Sequence, residues 1–290
     1  MNLGYNFPET FKLEISLLVK LLNEISKTKE LMGSTQDISD LTGIPTGAKS
    51  GKVEPIIAYG YSCGLIDAQK LEGQWKLKLS LLGNIILQED RILNEGITLF
   101  MMHLMMTRVE STESQEGINS AWYDVFIASK YALSDKFKID QLEQFIVNKR
   151  GKKSYLRSLL NLIVASYDQS NFDAPFNKIE VLDVNKFENQ YGAIRLTASL
   201  EYKFFPVYSA FLFLEWDRLF TAQSQISFDE FLTITRWNLV MNWSNKHFYR
   251  LLEWMAEKGF IQVDRLTGSA LLLRLTNTET VLQDFFSELV

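Results

Sequence analysis

One pattern recurs three times along the chain and restricts its fold more than any other feature. It is an apolar helix, a short polar turn, and a second helix with clustered base and no acid. The first copy runs from Asp37-Ile38-Ser39-Asp40-Leu41-Thr42 to Ser50-Gly51-Lys52-Val53 and on to Leu65-Ile66. The second runs from Ile139-Asp140-Gln141-Leu142 into the stretch from Asn148 to Arg157, and the third from Phe228-Asp229-Glu230-Phe231 into Trp243 to Arg250. Residues 41–53, 144–167 and 231–252 contain no Asp or Glu, yet each stretch carries Lys or Arg. In the first and third copies a strand pair follows. That order reads as winged helix-turn-helix, a fold most often used to hold a helix against DNA.

Local signals fill in the elements. Leu13, Leu17, Val19, Leu21, Leu22 and Ile25 follow a helical period and predict a helix over 9–26. Residues 27–36 are polar, contain Gly33-Ser34 and read as a loop, after which Asp37 caps a short helix over 38–42. Gly43 to Gly47 makes a turn, and a helix from Lys52 closes at Gly64-Leu65-Ile66. Gln74 to Leu79 alternates, with Trp75, Leu77 and Leu79 on one face, as a wing strand should. Ser80 begins a further helix, and residues 92–133 read as two helices joined by an exposed linker, 110–119. Residues 172–190 are mixed, 192–196 predict a strand, and 205–220 an aromatic helix. Near the end, Phe248, Leu251, Leu252 and Met255 share a helical face, and Thr267-Gly268-Ser269 turns a hairpin whose return strand covers 270–276. The expected class is mainly α with small β-hairpins. Winged helix-turn-helix units over 1–90 and 226–290 flank a helical middle, 91–225, with a possible helix-turn-helix of its own.

Composition sets limits on function. At 290 residues, with 13% aromatics, the chain can fill two or three cores. Its longest apolar runs, 97–106 and 207–214, are too short to span a bilayer, so no membrane is expected. Residues 1–10 lack the basic start and apolar stretch of a signal peptide. A single cysteine, Cys63, excludes an internal disulfide framework and suits a reducing cytoplasm. A net charge of -5 weighs against a protein that coats nucleic acid nonspecifically, so any DNA contact must come from local base.

Three groups of residues are the candidates. Thr46, Lys49, Ser50 and Lys52, at a helix start, suit backbone phosphates. Lys149, Arg150, Lys152, Lys153 and Arg157 form the densest base, for which a solvated helix start is the competing reading. Asn245, Lys246, His247, Tyr249 and Arg250 begin the third recognition helix. Gly43 to Ser50 also approaches a phosphate-binding loop, but Ala48 stands where its second glycine belongs, and a short helix rather than a buried strand precedes it. His103 and His247 are far apart in sequence and neither joins a Cys or carboxylate at ligand spacing, so no metal site is expected. His103 and its neighbouring methionines read as core, as does Cys63. The residues therefore predict no catalytic group and no cofactor. The expected partner is double-stranded DNA, with a protein partner held by the same surfaces as the alternative.

Glu9-Thr10-Phe11, then Gly51-Lys52, then Gly64-Leu65-Ile66 at suitable spacing resemble the bacterial family known as domain of unknown function 4007. That family often opens Gly-His-Glu-Thr-Phe; here Phe7-Pro8 replaces Gly-His. Its members tend to be encoded beside genes for DNA phosphorothioate modification and restriction. The resemblance therefore implies an accessory, DNA-directed role in such an antiviral defence system, beside other proteins of a modification or restriction complex. It supplies no catalytic residues.

Overall fold

A Ser-x-x-Asp box sets the first surprise. In the computed structural model, which describes residues 1–9, 11–47, 51–187, 190–265 and 270–289, the chain opens with α1 (Ile15–Thr28) and a short strand β1 (Leu31–Gly33) inside the expected loop. Ser34 then caps α2 (Thr35–Thr42): its hydroxyl accepts from the Asp37 amide, while its own amide donates to Asp37 Oδ2 at 2.8 Å. Asp37 thus closes a capping box from the third helical position, and the helix starts earlier than Asp37 alone suggested. α3 (Val53–Ser62), β2 (Ile66–Leu71) and β3 (Gln74–Leu79) follow. β3 pairs antiparallel with both β2 and β1, so the expected hairpin is a three-stranded sheet. Trp75 and Leu77 face its core, as the alternation predicts.

α4 (Leu81–Glu89), capped by Ser80, packs tightly behind this unit. Gly83 permits that approach, since a Cβ there would lie 1.9 Å from the Leu65 carbonyl oxygen. α5 (Gly96–Met106) is buried along its whole length from Ile97, and α6 (Ser120–Phe126) follows the polar linker. The methionine cluster is core.

The middle of the chain carries more than helices. β4 (Lys136–Lys138), α7 (Ile139–Arg150), α8 (Leu156–Ala165), β5 (Leu182–Phe187) and β6 (Gln190–Arg195) form a second sheet ordered β4-β6-β5. α7 continues through Asn148, Lys149 and Arg150, which end the first helix of this unit instead of starting the second. Gly151, at φ +78°, terminates it. Base at a helix C-terminus complements the macrodipole, which gives this run a structural reason.

α9 (Phe205–Leu219), with Pro206 in its first turn, is the central beam, packed against α5 and the third unit. That unit contains β7 (Gln225–Ser227), α10 (Phe228–Thr235), α11 (Trp237–Met241), α12 (Asn245–Glu257), β8 (Ile261–Asp264) and β9 (Leu271–Arg274), and α13 (Thr278–Gln283) follows it. Its sheet order is β7-β9-β8; the turn expected at 267–269 lies outside the described residues. Strand, helices and two strands, with the last strand between the other two, therefore occur three times. About half of the molecule is helical, consistent with the expected class. One contiguous hydrophobic cluster joins all three units through α5 and α9.

Candidate nucleic-acid interface

α12 presents the barest basic face among the three candidate groups. At its start the His247 amide donates to the Ser244 carbonyl at 3.0 Å, and His247 Nδ1 accepts the Ser244 amide at 3.4 Å. His247 thereby serves the cap. Phe248, Leu251, Leu252 and Met255 are buried, as the helical period predicts. Asn245, Lys246 and Arg250 are exposed on the opposite side, with Tyr249 half-buried beside them. Arg250 lies over the rings of Tyr202 and Phe205, at 5.1 and 5.9 Å, and the Tyr249 ring carries Arg265 at 4.8 Å. Among the described residues, neither Lys246 nor Arg250 has a carboxylate partner. Glu253, one turn further on, is bound by Arg265 at 3.2 Å.

The middle group divides in two. Lys149 reaches Asp124 Oδ1 at 2.7 Å and Glu116 at 3.1 Å, and Arg150 pairs with the same two carboxylates. Asp124 is fully buried and also accepts from the Tyr5 hydroxyl at 3.1 Å. Burial draws the Arg150 guanidinium down, but hydrogen bonds to Asp124 and Glu116 outweigh this and hold it above its ordinary value. Arg157 is held by Asp140 and, at 3.1 Å, by Glu143. Lys152 and Lys153, on the exposed loop between α7 and α8, have no carboxylate partner among the described residues.

The first group is the least open. Lys49 and Ser50 lie outside the described residues, and Thr46 is half-buried. Lys52 is bound to Glu14 at 2.6 Å, its amide donates to the Pro45 carbonyl and the Gly51 amide to Gly47, so these donors are already occupied. α3 itself is buried at every position except Glu54 and Tyr61, and Glu54 pairs with Lys70. No groove could admit it. The preceding element is α2, as the sequence indicated.

Asp124 and Glu116 went unremarked in the sequence because acid-free stretches meet acid only through space. His103 lies in the core, where Nδ1 is 2.8 Å from the Tyr167 hydroxyl. That hydroxyl also accepts from Trp122 Nε1, while Nε2 of His103 has no hydrogen-bond partner among the described residues. Burial lowers the imidazole pKa to about 3. Cys63 is buried too, and burial raises its thiol far above the ordinary value. Phe7, where the resembled family has Gly-His, packs at 5.0 Å against Tyr59 and 6.0 Å from Trp122. Among the described residues, no group of three or more His, Cys, Asp or Glu could hold a metal ion. No described helix is long and apolar enough to cross a membrane.

Comparison with known proteins supplies the architecture. No family model matches this chain, and no curated protein does. Two solved structures share the fold nearly end to end. The magnesium ion-bound SspB crystal structure matches 98% of this chain and 87% of its own at 14% identity, with a TM-score of 0.70. A second SspB crystal structure matches over the same shares at 14% identity and a TM-score of 0.69. The fold is shared.

Proposed function

We propose that this chain is a DNA-binding accessory protein of a phosphorothioation and restriction system, acting by binding and with no chemistry of its own. Its three units, βααββ in the first two and βαααββ in the third, are read as winged helix-turn-helix modules, the third of which meets the duplex. The observation that carries the reading is the exposed face of α12, where Lys246 in the first turn and Arg250 in the second have no carboxylate partner among the described residues. Lys152 and Lys153 supply further phosphate contacts. The family resemblance gives the phosphorothioation context, and the fold shared with SspB fits it. A cytoplasmic location follows from that role.

A titration on phosphorothioated and unmodified duplexes at several salt concentrations tests the proposal. Lys246→Ala with Arg250→Ala should leave the fold intact and weaken binding at least tenfold. Unchanged affinity in this double variant would remove α12 from the interface.

The second reading is a protein-interaction module within the same complex. The sealed α3, and the carboxylates that already hold Lys52, Lys149, Arg150 and Arg157, favour it. Loss of a protein partner with DNA binding intact in the α12 double variant would establish it.

A further inference from the structure

At the junction of the first unit with α9 lies a pocket of about 310 Å³ that the DNA reading does not use. Aliphatic side chains, among them Leu82, Met105 and Leu214, make up much of its wall, and Arg108, Arg218, Ser80 and one carboxylate residue, Asp67, also line it. Arg218 is committed: it binds Glu215 through two nitrogens and donates to the carbonyls of Val109 and Glu110. Arg108 is not. Its Nε donates to the Met105 carbonyl at 2.9 Å and one terminal nitrogen stands 4.0 Å from Glu215, whose single charge already serves Arg218. The other terminal nitrogen has no hydrogen-bond partner among the described residues, although the side chain is only 12% exposed. Burial lowers its proton affinity; Glu215 opposes that effect and Arg218 adds to it. These terminal donors keep contact with solvent and are not sealed in the core, so they stand ready for an anion that enters the pocket. Tyr61 lines the same pocket, close enough to Arg108 to couple electrostatically, and its hydroxyl has no hydrogen-bond partner among the described residues.

We propose that this pocket binds a phosphate group carried on an apolar or aromatic body of nucleotide size. Arg108 and Tyr61 hold the oxyanion, and the aliphatic wall takes the body. Guanidinium forks match phosphate oxygens in plane, and the volume lies at the small end of ligand sites. The site lies apart from α12, so it stands whether or not that helix contacts DNA. Free nucleotide and the terminal nucleotide of a single strand present the same chemistry.

Calorimetric titration of the full chain with a 5′-mononucleotide, a 5′-phosphorylated trinucleotide and inorganic phosphate tests it. Saturable mononucleotide binding is expected, displaced by excess phosphate and at least tenfold weaker in Arg108→Gln. Tighter binding of the trinucleotide would place the source in a strand end, and equal or weaker binding in free nucleotide. Should Arg108→Gln fail to fold, Tyr61→Phe keeps the ring and should still lower affinity severalfold. No saturable binding at millimolar nucleotide, affinity unchanged in a folded variant, or displacement by benzoate but not by phosphate would each overturn the proposal.

Discussion

His103 couples the core to pH. Its folded pKa, about 3, lies below the unfolded value of about 6.5, so in acid only the unfolded chain takes up this proton. The stabilisation is complete above pH 6.5 and is lost as pH falls from there toward 3. From pH 7 to pH 5 this group should remove about 2 kcal/mol. His103→Leu abolishes the titration, so the stability difference between parent and variant should shift by that amount across the interval. A constant difference in denaturant melts at the two pH values would sink the idea. Gly83 makes a steric counterpart. Gly83→Ala places a methyl against the Leu65 carbonyl and should cost about 3 kcal/mol or more, read as a fall in the chemical-denaturation midpoint.

Among the helices, α12 and α7 carry base of opposite kinds. Leu252→Ala on the buried face of α12 should cost about 2–5 kcal/mol. On α7, Lys149→Ala with Arg150→Ala leaves Asp124 buried with only Tyr5, and should destabilise by about 3 kcal/mol in urea melts. Lys152→Ala with Lys153→Ala should leave stability nearly unchanged and, on the DNA reading, flatten the salt dependence of binding. If the two pairs behave alike, the division between bound and bare base is wrong. Helical periods and alternation were legible in the residues: the face of α12, the β3 pattern and the apolar α5 all follow from spacing. β1, β4 and β5 were not, because three-residue strands and a strand within a mixed stretch carry too little periodicity. The commitment of Lys149 and Arg150 was equally hidden, since Asp124 is 25 residues before Lys149.

For the whole molecule, the three units share one hydrophobic cluster, and α9 packs on α5 and on the third unit. Heat should therefore unfold the chain in a single transition, and an isolated 226–290 fragment, stripped of α9, should lack a cooperative melt. Two resolved calorimetric transitions would show that the units stand alone. The sealing of α3 has a consequence of another kind: it fixes the valence of the chain. Three units of one topology suggest a reader that tracks along a duplex, three sites at a stride. With α3 closed inside the protein, the base of α7 spoken for and Arg157 of α8 held by Asp140 and Glu143, one helix is left with bare base to read. On the DNA reading the chain is monovalent: its target needs no dyad, one helical turn of about 10 base pairs is enough, and longer duplexes gain sites without gaining avidity.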